Sequence, residues 1–161
     1  MRKSMTRLTV AIAVSLCAIP AVGRAQYYVR GHLVQDLAQG VEWMRCSVGQ
    51  RWNEAGKTCR GEGIRLNHEE IQTAIEQANE QLGGSWRLPS LDELESLVCD
   101  QCSPAKIENK YFPNIAREAY WSSTPNSLNK KMFWTINFQT GHKYSRFFGY
   151  QELPFLLVKD Y

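Results

Sequence analysis

The spacing of apolar positions changes period twice along this chain. Tyr27 to Val34 and Val41 to Met44 are short β-prone runs separated by Asp36-Leu37-Ala38-Gln39-Gly40, which predicts an opening antiparallel pair with Gly40 in its turn. Cys46 to Gly63 is polar and contains several glycines, a stretch too long to stay ordered unless something ties it down. The period then becomes helical. Ile71, Ile75, Ala78 and Leu82 recur at spacings of four, three and four, behind an N-terminal signal in which Asn67 caps and Glu70 reaches back.

Gly83-Gly84 end that helix, and Trp86 and Leu88 form a short extended apolar segment that Pro89 keeps out of the α region. Ser90 then caps a second helix. Glu93 completes its capping box, and Leu91, Leu94, Leu97 and Val98 supply the buried face. Tyr111-Phe112-Pro113-Asn114-Ile115 is irregular and aromatic, a segment expected to pack under a sheet. The remainder is strand-like: Ala119 to Ser123, then Met132 to Phe138, with Met132, Trp134, Ile136 and Phe138 on one face and Phe133, Thr135 and Asn137 on the other. Gln139-Thr140-Gly141 turns the chain, Lys143 to Phe148 returns, and Phe155 to Val158 closes the domain. The predicted class is α+β, with two helices packed on a small, irregular, mainly antiparallel sheet.

The first 25 residues read as a signal peptide. Arg2, Lys3 and Arg7 precede an apolar run from Leu8 to Ile19, and Gly23 and Ala25 prepare a cleavage site before Gln26. The run is too short for a membrane span, so no stable span is expected after cleavage. Residues 26–161 are then one domain in the periplasm or outside the cell. Four basic residues and no acid leave with the leader, so 19 basic and 16 acidic residues become 15 and 16, a net charge of −1. A globally basic nucleic-acid binder is thereby disfavoured.

Four cysteines remain, which in an oxidising compartment predicts two disulfides. Spacing does not dictate the pairing. Cys46 with Cys59 closes the long polar loop, and Cys99 with Cys102 is the local choice. Cys99-x-x-Cys102 follows a predicted helix and so meets its negative end, which disfavours a reactive thiolate. No second matching pair completes a four-cysteine zinc site. No cofactor and no metal site is expected, and the carboxylates Glu69, Glu70, Glu76 and Glu80 read as a solvated helix face.

Five pieces in order carry a resemblance: Gly40-Val41-Glu42-Trp43-Met44-Arg45-Cys46, Trp86 to Leu94, Tyr111-Phe112-Pro113, Tyr120-Trp121-Ser122-Ser123, and Asn137-Phe138 followed by Gly141. In these the chain resembles the bacterial domain family DUF1566, the C-terminal domain of the Legionella collagen-like adhesin. The resemblance implies a relative of the C-type-lectin and formylglycine-generating-enzyme folds, and offers sulfated glycosaminoglycans as ligands. The last strand departs from the pattern, because Phe155-Leu156-Leu157-Val158-Lys159 stands where an arginine-containing strand is expected.

From Ala119 to Gln151 there is no Asp or Glu, which argues against a calcium lectin, since calcium takes clustered oxygen ligands including carboxylates. Nothing after Cys102 supplies the late cysteines of a formylglycine-generating enzyme, and His32, His68 and His142 are scattered. The same acid-free segment carries Lys130, Lys131, Lys143 and Arg146 among Trp134, Tyr144 and Phe147. Cations beside aromatic faces suit an anionic glycan. The bland reading is core aromatics with a solvated basic edge that discourages aggregation. The expected function is a non-enzymatic binding module for an anionic glycan or cell-surface ligand; the alternative is a periplasmic inhibitor or immunity-type protein that binds an envelope protein.

Overall fold

A computed structural model describes residues 26–161, and the predicted leader lies outside the described residues. Among the described residues, two helices and three antiparallel sheets make up the fold. The first sheet has the order β1 (Tyr27–Arg30), β2 (Leu33–Asp36), β3 (Val41–Met44), β9 (Val158–Asp160); β4 (Arg51–Asn53) pairs with β5 (Thr58–Arg60); and β6 (Ala119–Pro125), β7 (Met132–Asn137) and β8 (Lys143–Phe148) form the third. The helices are α1 (His68–Leu82) and α2 (Leu91–Glu95).

The opening run from Tyr27 to Val34 divides into two strands of one hairpin, with Tyr27 opposite Asp36 and Arg30 opposite Leu33. Gly31, at φ +58°, makes the reversal between them. The predicted turn at Gly40 holds: Asp36 accepts the Ala38 and Gln39 amides on its side chain and the Gly40 amide on its carbonyl. The closing strand begins later than its apolar residues suggest. Phe155, Leu156 and Leu157 are buried but thread between sheets, since the Trp121 amide donates to Pro154 O, Val48 to Phe155 O and Met44 to Leu157 O.

Neighbouring residues on a strand point to opposite faces, so β6 separates two apolar clusters. Tyr120 joins Trp43, Leu94, Phe112, Phe138 and Leu156 on one side, while Trp121 joins Ile71, Trp86, Leu88, Phe155 and Leu157 on the other. The aromatic segment after Cys102 packs as its composition predicts, with Phe112 edge-on to Trp43 at 6.1 Å. Buried Arg45 fastens it, donating to the Tyr111 and Lys110 carbonyls and also to Gly31 O.

Both capping boxes form. The helices are less regular than their stripes imply. α2 ends at Glu95, and Leu97 enters the core beyond it. In α1 only Ile71 is buried, and Leu82, at the end of the apolar stripe whose spacing predicts a core face, is 61% exposed. The helix is instead held near its C-terminal end by Asn79, whose amide side chain donates to Trp86 O and accepts from Trp86 N.

Candidate ligand-binding site

The register of the third sheet places the predicted site residues. Ile136 pairs with Lys143 and Thr135 with Tyr144; Phe133 pairs with Phe147 and Met132 with Phe148. Between the Phe133 and Thr135 rungs, β8 supplies Ser145 and Arg146 opposite Trp134 alone, a β-bulge that leaves Arg146 exposed. Lys131 adjoins one end of this ladder and Lys143 pairs at the other, about 16 Å apart along the strand at ~3.3 Å per residue.

The two ends differ electrostatically. Lys143 bonds Glu95 of α2 at 2.9 Å, so a carboxylate from outside the acid-free segment already engages this cation. Tyr144 beside it is 41% exposed. Trp134 is half-buried against the first cluster, with Ser122 Oγ donating to its carbonyl at 2.7 Å. Lys130 and Lys131 are exposed and lie together at the far end, and the Gly149 amide donates to Lys131 O at 2.9 Å.

Lys131 also lines an open cleft of about 620 Å³ with Phe133, Phe148, Tyr150, His68 and Glu69. Tyr150 is 74% exposed and stacks on Phe148, with ring centroids 5.4 Å apart and 15° between planes. His68 stacks on Phe133 at 3.5 Å and meets Trp121 edge-on at 4.7 Å. Burial holds its imidazole down to a pKa of about 4, so it is neutral at pH 7. The start of α1 offers no free amide, because His68 N donates to Gly149 O, Glu69 N and Glu70 N donate to Asn67 Oδ1, and Ile71 N donates to Asn67 O. The cleft therefore carries one cation, one carboxylate and an aromatic platform.

Tyr150, Phe148 and His68 escaped the reading of the sequence. The signal was present in Phe148-Gly149-Tyr150, where a glycine leaves the strand and the next residue is a large aromatic with no periodic partner. Of the predicted residues, the structure brings Lys130 and Lys131 to this end, while Lys143 and Tyr144 lie at the other.

Both disulfides form as expected, Cys46–Cys59 and Cys99–Cys102. Among the described residues no three His, Cys, Asp or Glu side chains gather into a metal-binding group, and no helix is long and apolar enough to cross a membrane. The Lcl C-terminal domain family matches residues 32–158, and the chain belongs to that family. The match covers both disulfides, both helices and the third sheet. No curated protein and no solved structure matches the chain.

Proposed function

We propose that the chain is an exported, non-enzymatic binding module on a C-type-lectin-like scaffold, and that it takes an anionic glycan at the Lys131 end of the third sheet. The observation that carries this reading is the exposed Tyr150 ring, backed by Phe148 and bordered by Lys131, in a cleft of about 620 Å³. A sugar ring stacks on an aromatic face, and a sulfate or carboxylate at its edge pairs with Lys130 and Lys131. Arg146 extends the same basic character along β8, whereas Trp134 serves the core and Lys143 serves α2. Membership of an adhesin-type domain family and two disulfides support export and binding.

A glycan array probed with the mature protein tests this. Sulfated or uronic-acid glycans should be bound and their neutral counterparts should not. Loss of that preference in Tyr150→Ala, at unchanged melting temperature, supports the cleft. An array without any acidic binder, together with capture of one protein from envelope extract, would replace the glycan with a protein partner.

A further inference from the structure

The flank of α1 that borders its buried side is built from small and uncharged residues. Ala74, Gln77, Ala78, Gln81 and Leu82 follow the three-and-four spacing of one helix face; Ala74 and Ala78 pack against the second apolar cluster, while Gln77, Gln81 and Leu82 are exposed. A groove of about 440 Å³ remains between this face and a wall made of Met44, Val48, Ile64 and Leu157. Cys46 of the Cys46–Cys59 bridge also lines it, which anchors that wall. Its size falls within the range of small-molecule sites, roughly 300–1,000 Å³.

Charge is the most telling property of the groove. None of its lining residues is Asp, Glu, Lys or Arg, in a chain whose residues are 22% charged. The polar groups are amides, a hydroxyl and an imidazole, from Gln50, Gln77, Gln81, Ser47 and His32. Ser47 Oγ is engaged with Tyr120 Oη, and Gln50 with the Ser47 amide and the Gly61 and Asn114 carbonyls. Gln77, Gln81 and His32 are thus the groups left to donate to and accept from a neutral head group, and an ionised one would be desolvated beside them without a counter-charge. Leu82 and Ile64, 61% and 42% exposed, form apolar lips.

Shape narrows the occupant further. From Ala74 to Leu82 the groove follows α1 for about 12 Å, at ~1.5 Å per residue, so an occupant that fills it is elongated along the helix. We propose that this groove binds one linear aliphatic chain with an uncharged polar end, the alkyl part lying over Ala74 and Ala78 and the head among the glutamines. The site is separate from the Tyr150 cleft and does not depend on glycan binding.

Fluorescence titration with the neutral probe N-phenyl-1-naphthylamine tests this on the protein with its disulfides intact. Saturable one-to-one binding is expected, displaced by 1-decanol and at least tenfold less effectively by decanoate or decylammonium. Ala78→Phe fills the trough and should weaken the probe at least tenfold with unchanged melting, whereas Tyr150→Ala should bind it as wild type does. Leu82→Glu charges the exposed lip and keeps the test decisive if Ala78→Phe does not fold; it too should bind at least tenfold more weakly. No saturable signal, wild-type affinity in both groove variants, or equal displacement by the charged amphiphiles would overturn the proposal. So would a concentration-dependent dimer abolished by Leu82→Glu, which would assign the groove to a second copy of the chain.

Discussion

Arg87 donates to both oxygens of Glu93, at 2.9 and 2.7 Å, and the same carboxylate accepts the Ser90 amide at 2.7 Å. The residue that closes the α2 capping box is thus also the anchor of the preceding extended segment. Arg87 reaches Asp160 of β9 as well, at 2.7 Å, and its backbone pairs with Val158. One short stretch of sequence thereby fastens α2 to the last strand of the first sheet.

Replacing Glu93 by Ala removes a cap and a half-buried ion pair together. A cap contributes about 1 kcal/mol and a partly exposed pair ~0.2–1, so Glu93→Ala should lower unfolding free energy by roughly 1.2–2 kcal/mol. Ser90→Ala should cost about half of that. The Arg87 guanidinium holds the Glu93 carboxyl below its usual range. Its contribution is therefore present above the unfolded carboxyl pKa and is lost as pH falls through the lower folded value. Urea unfolding at pH 7 and at pH 3 checks both points, with the Glu93→Ala deficit shrinking at pH 3.

His68 gives a second, separate acid sensitivity. Burial depresses its folded pKa to about 4 from an ordinary 6.5, opposed only by a backbone hydrogen bond at Ser122. Between these values the unfolded chain takes up a proton that the folded one refuses, so stability falls from pH 6.5 to about 4 and this contribution is then spent. Allowing for partial solvent access, the loss is on the order of 1–2 kcal/mol. His68→Phe keeps the stack on Phe133 and Trp121 and cannot titrate. Thermal unfolding of the two proteins from pH 7 to pH 4.5 should therefore show the variant losing less stability than wild type.

Reduction should act unequally on the two bridges. Chain entropy assigns about 3 kcal/mol to Cys46–Cys59, across a separation of 13 residues, and about 2 to Cys99–Cys102, across three. The pair Cys46→Ser and Cys59→Ser should also raise hydrogen exchange through β4 and β5, which are anchored by that bridge. Exchange in the third sheet should stay as it is.

Trp134 and Tyr150 separate core from platform. Trp134→Ala should cost roughly 2–3 kcal/mol, less than the ~3–5 of a fully buried aromatic, because the side chain is half-buried. Tyr150→Ala should change stability by no more than ~0.5 kcal/mol. Glycan affinity should follow the reverse order, falling in Tyr150→Ala and persisting in folded Trp134→Ala.

Local chemistry was the legible part of this chain. Asn67, Ser90 and their glutamates start both helices where the spacing predicts, and the β7–β8 turn ends at Gly141 as expected. What escaped depends on contacts between distant residues. The exposure of Leu82 follows from where α1 is pinned, by His68 in one cluster and Asn79 at Trp86, and no periodicity carries that. The division of Tyr27 to Val34 was marked only by Gly31. The basic segment looked uniform because Glu95, its partner at Lys143, stands 48 residues away in sequence.

Heparin-affinity chromatography with a salt gradient tests the central claim most directly. Wild-type protein should be retained at low salt and elute as ionic strength rises, since exposed charge contacts are screened over about 10 Å at 0.1 M. Lys130→Gln/Lys131→Gln should elute at clearly lower salt with unchanged melting, and Lys143→Gln, whose cation is already engaged by Glu95, should elute close to wild type. Absence of retention even at low salt, or a loss in Lys143→Gln equal to that of the double variant, would contradict the assignment of anionic glycan binding to the Lys131 and Tyr150 cleft.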